Sequence, residues 1–442
     1  MRCVIAAALL LIAWPSAAVA QQPEPTGAVS LTLDDAIRRG LETSHRLAEA
    51  IARGEAAEAA ADQRHAVQLP QVAAQAGYMR TNHVQEFGVL LPNNQLRIIY
   101  PDVPDNYLTR LDVQWPLYTG GRLAALERAA RTEAAALSNE LDAARADLRL
   151  EVTRAYWTLL TAAETVRVVD ESLARTRAHL VDARNQLEAG LAAPNDVLTV
   201  EAQESRQRML SIQARANRDV AEAELGRLVG VPPGTPVQPV TALDPPNAVN
   251  ADLASLVEIA RQSRPERAAL LKRVEGATDR GKAAAAATRP TVGVAGGFDY
   301  ARPNPRIFPR SGEWAESWDA GINVNWPLFD GGRARAEVAE ASAFARAAQA
   351  RVAEFDAVLA VELRQRISEI ESGRAAVAAA ADAVRAATEA RRVAGERFAA
   401  GVASSTDVLD AQVAVLQATL DRTQAVANAR LAEARLTRAL GR

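Results

Sequence analysis

Apolar residues recur every three or four positions along one long segment of the chain. From the Gly120-Gly121 pair to Leu187 this segment holds no internal proline or glycine, and alanine, leucine, arginine and glutamate dominate it. Its seam reads Leu159, Ala162, Val166, Val169, Leu173, Thr176, Leu180, Ala183, Leu187. Such a seam predicts one helix of about 65 residues, roughly 100 Å long at 1.5 Å per residue, packed against other helices.

Each of two long helices is expected to turn back and form a hairpin. The predicted hairpins cover about 120–229 and about 331–440, and each returns through a shorter helix. Many seam residues are alanine, and apolar residues spread beyond a single stripe, which favours a helix with neighbours on both sides. The pattern therefore predicts a hollow ring of helices, and an elongated coiled-coil rod is the simpler alternative.

Four shorter segments alternate apolar and polar residues with a period of two. They lie at about 70–80, 107–118, 290–300 and 315–327. The clearest apolar series is Thr109, Leu111, Val113, Trp115, Leu117. Each segment has roughly the ten residues that a tilted strand needs to cross hydrocarbon. Alternation by itself also fits a soluble antiparallel sheet with one wet face.

Tryptophan placement favours the membrane interpretation of these strands. Aromatic residues make up only 4% of the chain. Trp115, Trp314, Trp318 and Trp326 nevertheless lie in or beside the strand segments, as expected of aromatic girdles at a membrane interface. Four strands cannot close a barrel, and an open sheet edge cannot exist in lipid. Strands that span the membrane therefore require several subunits to share one barrel, and eight or twelve strands would both be possible.

A single duplication relates the two halves of the chain. WPLYTGGR at 115–122 recurs as WPLFDGGR at 326–333, an offset of 211 that also relates the ends of the two hairpins. Before the tryptophans of these two motifs the offset is 220, so the first copy carries nine more residues than the second between its two strands. We expect these nine residues to lie in a surface loop. We divide the chain into a first repeat at 21–230, a proline-rich connector at 231–251 and a second repeat at 252–442.

The first twenty residues have the layout of a cleavable secretory signal. Arg2 precedes an apolar run, and Ala18-Val19-Ala20 provides a cleavage site, so residues 1–20 are excluded from the fold. No later segment approaches the roughly 20 apolar residues of a membrane-spanning helix, so membrane insertion must use strands. The single cysteine, Cys3, lies in this segment, which leaves no disulfide for the mature chain.

Composition and motifs favour neither catalysis nor nucleic-acid binding. The net charge is −3 with both signs mixed, so no nucleic-acid partner is expected. The four histidines, among them His179, are scattered without metal-ligand spacing and are predicted to be ordinary surface or packing residues. No phosphate-binding loop, nucleophile elbow or zinc-binding helix motif occurs. We predict no enzyme activity, no catalytic residue, no metal and no cofactor.

In this order of elements the sequence resembles the TolC-type outer membrane efflux proteins, also called outer membrane factors. The resemblance covers nearly the whole mature chain, with PLYTGGR-like residues after the second strand of each copy. It implies a mainly α protein with membrane β: a homotrimer whose twelve-stranded β-barrel, set in outer-membrane lipid, continues into a periplasmic α-helical barrel. It further implies a passive exit duct of a tripartite efflux pump or type I secretion system.

The resemblance also implies partners and assigns roles to the hairpin turns. A periplasmic adaptor (membrane fusion) protein and an inner-membrane transporter would complete the assembly. Gly190-Leu191 and Gly401-Val402 match the turns at which adaptors dock in the family. The simpler interpretation, compatible with the first, is that the glycines supply left-handed helix caps.

The same resemblance implies a periplasmic gate in the second hairpin. Asp407 and Asp410 match the aspartates that ring the tunnel opening, although Asp407 is also favoured electrostatically in the first turn of its helix. Phe398 replaces a tyrosine that can lock the closed state, and Ala403 replaces an arginine. The side chains of Phe398 and Ala403 have no polar group that could form the bonds of that tyrosine and arginine. We therefore expect packing and the aspartate ring to hold the gate closed.

A second function class is a periplasmic structural or adaptor coiled coil that never enters the membrane. An adaptor would be expected to have one hairpin with soluble β domains, and it would not need two tryptophan-rich strand pairs. Recovery of the protein from the soluble periplasm would favour this alternative. Drug, metal and protein cargo are all compatible with the sequence.

Overall fold

The computed structural model describes residues 28–245 and 252–442, and the predicted signal at 1–20 lies outside these ranges. The helices are α1 (Leu33–Thr43), α2 (His45–Ala66), α3 (Arg122–Glu188), α4 (Pro194–Leu228), α5 (Leu253–Ser263), α6 (Pro265–Ala285), α7 (Arg333–Ala399) and α8 (Ser405–Ala439). The strands are β1 (Val29–Leu31), β2 (Gln71–Arg80), β3 (Phe87–Leu90), β4 (Leu96–Tyr100), β5 (Asp105–Tyr118), β6 (Val237–Pro239), β7 (Thr291–Arg302) and β8 (Ala315–Asn325).

The two predicted long helices are confirmed. α3 and α7 each contain 67 residues, and each returns through a helix of 35 residues. Both begin after a glycine in the left-handed conformation, Gly121 at φ 85° and Gly332 at φ 90°. The Asp330 carboxylate accepts hydrogen bonds from the backbone N–H groups of Gly332 and Ala334 at 2.9 and 2.8 Å, which fixes the start of α7.

The helices form an array one helix thick. Nearer the strands the order of contacts is α2, α3, α6, α7, and nearer the hairpin turns it is α4, α3, α8, α7. α3 therefore has helix neighbours on both sides, as its alanine-rich seam predicted. α2 and α4 lie at one edge of the array, and α7 lies at the other.

The four predicted strands form one antiparallel sheet in the order β2-β5-β7-β8. The two halves of the chain meet where β5 pairs with β7, with Leu111 opposite Phe298. Within the described residues β2 and β8 each pair along only one edge. The sheet therefore ends in two edges whose backbone hydrogen-bonding groups have no strand partner within the described chain.

Two smaller strand pairs were missed from the sequence. β3 and β4 form an antiparallel hairpin between β2 and β5, where the sequence predicted only a longer surface loop in the first repeat. β1 pairs in parallel with β6, so the proline-rich connector supplies a short strand. Tyr156 of α3, fully buried, secures this pair: its hydroxyl donates to the Leu31 carbonyl at 3.0 Å and accepts from the Thr241 N–H at 3.0 Å.

Candidate functional site

One face of the four-stranded sheet is apolar and exposed. The register places Val72 of β2 beside Val113 of β5, and Phe298 of β7 beside both Leu111 and Trp318. Trp318 keeps 73% of its surface exposed. Other large apolar residues exposed on this face are Tyr78, Trp115, Tyr300, Ile322, Val324 and Trp326. An uncovered apolar surface of this extent marks contact with a membrane or a partner.

The opposite face carries a cluster of charged side chains around Arg110 of β5. Arg110 Nε donates to Asp112 Oδ1 at 2.7 Å, and its Nη1 donates to Asp299 Oδ2 at 2.8 Å. Its Nη2 reaches Asp319 Oδ1 at 3.3 Å, so the guanidinium crosses from β5 over β7 to β8. A Cβ at Gly297 would stand 2.7 Å from Arg110 Cζ, so the absence of a side chain there makes room for the network. The sheet thus separates an apolar surface from a charged one.

The four tryptophans predicted to lie at membrane interfaces occupy both ends of the sheet. Trp115 and Trp326, at the helix end, donate through Nε1 to the carbonyls of Gln68 and Thr288 at 3.2 and 3.1 Å. These two contacts are equivalent in the two repeats. At the far end Trp314 stacks on Tyr300 with ring centroids 4.9 Å apart.

The spacing between these aromatic levels covers much of a hydrocarbon layer. Trp318 precedes Trp326 by eight residues, which corresponds to about 26 Å along a strand at roughly 3.3 Å per residue and to about 20 Å across the layer for a strand tilted by about 40°. Tyr107 precedes Trp115 by the same interval. The apolar band of a membrane β-barrel is about 25 Å tall and is bordered by aromatic residues. The distribution is therefore compatible with girdles at both interfaces.

The predicted adaptor-docking residues lie at the two exposed hairpin tips, residues 189–193 and 400–404. Gly190 and Gly401 have φ of 74° and 72°. At the first tip, the Gly190 N–H donates to the Leu187 carbonyl at 2.9 Å, and the Leu191 N–H donates to the Gln186 carbonyl at 2.8 Å. This is the Schellman pattern of a helix end, so the glycines do act as left-handed caps.

The residue after each tip glycine is apolar and exposed. Leu191 is 80% exposed and Val402 is 64% exposed. A Cβ built on either glycine meets nothing within 4 Å, so both tips are open to approach. The caps explain Gly190 and Gly401, but they do not explain an apolar side chain directed into solvent.

The predicted gate aspartates differ in their bonding. The Asp407 carboxylate accepts from the Ser404 N–H at 2.8 Å, and the Asp407 N–H donates to Ser404 Oγ at 3.2 Å, which forms a capping box. The pKa of the Asp407 carboxyl lies below its ordinary value because the backbone N–H and the hydroxyl of Ser404 both donate hydrogen bonds to the charged carboxylate. Asp410, one turn further along α8, is exposed. Asp407 therefore has a structural role whether or not it also lines a gate.

Phe398, the third predicted gate residue, packs on His179, one of the four histidines predicted to be ordinary surface or packing residues. The rings of Phe398 and His179 are 5.1 Å apart in an edge-on arrangement. His179 Nε2 lies 2.8 Å from Ser405 Oγ at the start of α8. Burial lowers the pKa of the His179 imidazole, and the negative charge of Asp182 opposes this effect. His179 thus connects α3 to both helices of the second hairpin.

Near the level of His179, one buried polar contact and one apolar cluster join the two hairpins. Thr176 Oγ1 lies 2.8 Å from Gln207 Oε1 on α4 and 3.3 Å from Gln412 Oε1 on α8. Leu409 of α8 packs in a cluster with Ala183 of α3 and neighbouring residues of α4. The only sequence sign of these contacts was the polar Thr176 within an otherwise apolar seam.

No helix in residues 28–245 or 252–442 is long and apolar enough to cross a membrane. Within the same ranges no group of three or more His, Cys, Asp or Glu residues could hold a metal ion.

Known proteins resemble this chain over most of its length. It is 30% identical to Protein CyaE of Bordetella pertussis over 230 residues, covering 51% of this chain and 48%, about half, of CyaE. It is 28% identical to Outer membrane efflux protein BepC of Brucella suis over 323 residues, covering 71% of this chain and 68% of BepC. Its fold matches the outer membrane protein VceC of Vibrio cholerae with a TM-score of 0.75 at 21% identity, covering 92% and 96% of the two chains.

The family match includes both repeats and supports the resemblance drawn from the sequence. The profile described as outer membrane efflux protein matches residues 36–231 and 256–442. The predicted mainly helical fold with a strand sheet is confirmed by the structure and by its similarity to VceC. This chain therefore belongs to the outer membrane efflux protein family, and it resides in the outer membrane.

Proposed function

We propose that the chain is one subunit of a homotrimeric exit duct, through which a tripartite efflux pump or type I secretion system releases cargo from the periplasm to the exterior. Three four-stranded sheets close into one twelve-stranded barrel, with the apolar face toward lipid and the Arg110 face toward water. The helical arrays close into a tunnel below it. The duct conducts cargo passively and performs no chemistry of its own.

The sheet is the observation that carries this proposal. Its apolar face is exposed along four strands, and its edges β2 and β8 lack partners in the described chain. The strand directions alternate, so β8 of one copy can pair antiparallel with β2 of the next. Closure satisfies the edge hydrogen bonds that lipid cannot satisfy.

The turns between the second strand and the long helix differ between the two repeats, and the difference supports closure by a neighbouring copy. The Gly120 turn of the first repeat packs on Arg289 of the second, where an added Cβ would come within 2.7 Å. The equivalent Gly331 has nothing within 4 Å, and Leu328 and Phe329 beside it are 80% and 91% exposed. In a ring, the residue equivalent to Arg289 is Leu69 of the next subunit, which is itself 48% exposed.

A disulfide experiment tests the ring and its register. The pairing of Val113 with Gly296 inside the chain, shifted by the repeat offsets, predicts that Val324 lies opposite Ala76 of the next subunit. Val324→Cys with Ala76→Cys should give disulfide-linked species up to the trimer in outer-membrane fractions. Val324→Cys with Gly77→Cys is the control, because adjacent strand residues face opposite sides. Equal cross-linking in both pairs, or recovery in the soluble periplasm, would reject the duct.

We further propose that the hairpin tips dock a periplasmic adaptor through Leu191 and Val402. Both side chains are apolar and exposed beside open turns. Leu191→Cys and Val402→Cys should cross-link to a co-expressed adaptor hairpin in intact cells. Leu198→Cys, on an apolar residue of α4 whose exposure of 61% is close to the 64% of Val402, is the control. Cross-linking at Leu198 alone would place the adaptor elsewhere.

The gate proposal concerns Asp407 and Asp410 near the tip of the second hairpin. In a trimer these exposed carboxylates ring the tunnel mouth and attract cations, while Phe398 packing on His179 holds the second hairpin against α3. Asp407→Ala with Asp410→Ala should raise single-channel conductance and weaken block by multivalent cations in planar bilayers. Unchanged conductance and block would reject the aspartate gate.

A further inference from the structure

We propose that Arg306, in the loop between β7 and β8, is a selectivity-determining residue of the pore. Together with Arg110 and three aspartates it forms a charged cluster on the water-facing side of the sheet. This inference rests on the duct proposed above, because it requires that the charged face line the pore. This cluster is separate from the aspartates at the hairpin tips.

The loop at residues 303–314 folds back onto the charged face. Arg306 Nη1 donates to the Trp318 carbonyl at 3.1 Å, and its Nη2 donates to Asp319. Its Nε lies 3.7 Å from Asp299 Oδ2. Arg306 therefore reaches two of the three aspartates that Arg110 contacts from the strand, and it brings the loop with it.

Further contacts fix the loop in this position. Asn304 is 2% exposed, and its Nδ2 donates to the Ala315 carbonyl and to Ser317 Oγ, both at 3.0 Å. The Arg310 N–H donates to the Ile99 carbonyl at 3.2 Å, which joins the loop to the β3–β4 hairpin of the first repeat. The loop is thus tied to both repeats, so Arg306 is held at the pore surface.

The charges in this cluster do not balance. Arg110 and Arg306 face Asp112, Asp299 and Asp319, which leaves one net negative charge per chain. The side chains of Arg306 and Asp319 are 41% and 37% exposed, so their charges are accessible to passing ions. Three chains around one axis would concentrate three negative charges at one level, which favours cations over anions.

An ion-pair cluster that only stabilises the loop and a cluster that selects ions predict different signs for the change in ion selectivity. Removing Arg306 raises the net negative charge of the cluster, whereas neutralising Asp319 abolishes it. If the cluster only stabilises the loop, both changes should act alike, because each breaks the same ion pair. If it selects ions, the two changes should shift selectivity in opposite directions.

The experiment measures reversal potentials across a KCl gradient in planar bilayers containing the full-length trimer. Arg306→Gln should raise the cation-to-anion permeability ratio about twofold, and Asp319→Asn should lower it toward unity by a similar factor. Arg306→Lys should leave the ratio near that of the wild type. Arg38→Gln, the same charge change on an exposed residue of α1 (66%), is the matched control and should have no effect.

Three outcomes would overturn this inference. They are an unchanged ratio in conducting channels, a shift of the same sign in both variants, and an equal shift in Arg38→Gln. If Arg306→Gln fails to assemble, Asp319→Asn decides alone, and a ratio that does not fall rejects the selectivity role. Repeating the measurements with Asp407→Asn and Asp410→Asn removes the contribution of the tips. Absence of any pores from wild-type protein would reject the duct itself.

Discussion

The two long helices have the same length but very different surroundings. α3 and α7 each contain 67 residues, yet 18 residues of α3 are buried and only four of α7. α3 lies between helices on both sides, whereas α7 has helix neighbours on one side and forms the edge of the array. The duplicated sequence thus produces equal local structure, and position in the array decides burial. In the proposed trimer, the next subunit covers the open edge of α7.

Substitutions in the interior helix α3 and in the edge helix α7 should therefore have different effects. Leu159 of α3 is 1% exposed, so Leu159→Ala leaves a cavity and should lower the free energy of unfolding by about 2–5 kcal/mol. Urea unfolding followed by circular dichroism measures this loss. Val361 of α7 is 70% exposed, so Val361→Asp should preserve the helical signal and dissociate the proposed trimer, which size-exclusion chromatography in mild detergent measures. A stable Val361→Asp trimer would show that this part of α7 is not an interface.

Two equivalent arginines should also differ in their contribution to stability. Arg438 Nε donates to Asp147 at 2.7 Å, its Nη2 donates to Glu266, and its side chain is 9% exposed. Arg227, 211 positions earlier, is 61% exposed and pairs with Glu224. Arg438→Ala should cost about 2 kcal/mol of unfolding free energy because it breaks charged hydrogen bonds of a buried group. Arg227→Ala should cost less than about 1 kcal/mol, and equal losses in thermal unfolding would contradict the difference.

The caps of the two returning helices offer a smaller contrast. Ser404 Oγ accepts from the Asp407 N–H at the start of α8, whereas the equivalent Ala193 has no side-chain acceptor for α4. Ser404→Ala should destabilise the first turn of α8 by about 1 kcal/mol, and Ala193→Ser should stabilise that of α4 by up to about 1 kcal/mol. Amide hydrogen exchange at these turns measures both. No change at either turn would argue against a capping role.

The smallest expected effect is a pH dependence confined to the contact between the hairpins. Burial holds the pKa of His179 below its ordinary value, so the unfolded chain binds the proton first as the pH falls below about 6.5. The stability that the neutral His179 side chain contributes to the folded state is therefore fully present above that pH. It is lost as the pH falls through the folded-state pKa. The protection factor of the amides in the first turn of α8, which is the intrinsic exchange rate at each pH divided by the observed rate, should be lower at acidic pH than at neutral pH. His179→Asn removes the titration, and an unchanged pH dependence in this variant would exclude the histidine as its source.

The long helices and the main strands could be predicted because their patterns are local. The seam from Leu159 to Leu187 repeats the burial of a helix turn by turn, and the alternation from Thr109 to Leu117 repeats that of a strand. The tip glycines could be found for the same reason, since a left-handed cap is set by one residue. The β3–β4 hairpin was missed because it is short and exposed, and the β1–β6 pair was missed because it joins segments about 200 residues apart.

By itself the sequence determined the duplicated unit, its long hairpins and the strands that alternate between apolar and polar faces. Only the tertiary structure brought Arg110 to three aspartates, Phe398 to His179, and Arg306 onto the charged face. Periodicity records which side of an element is buried, because that choice recurs every few residues. It does not record the partner of a side chain, because that depends on how segments distant in sequence meet in the folded chain.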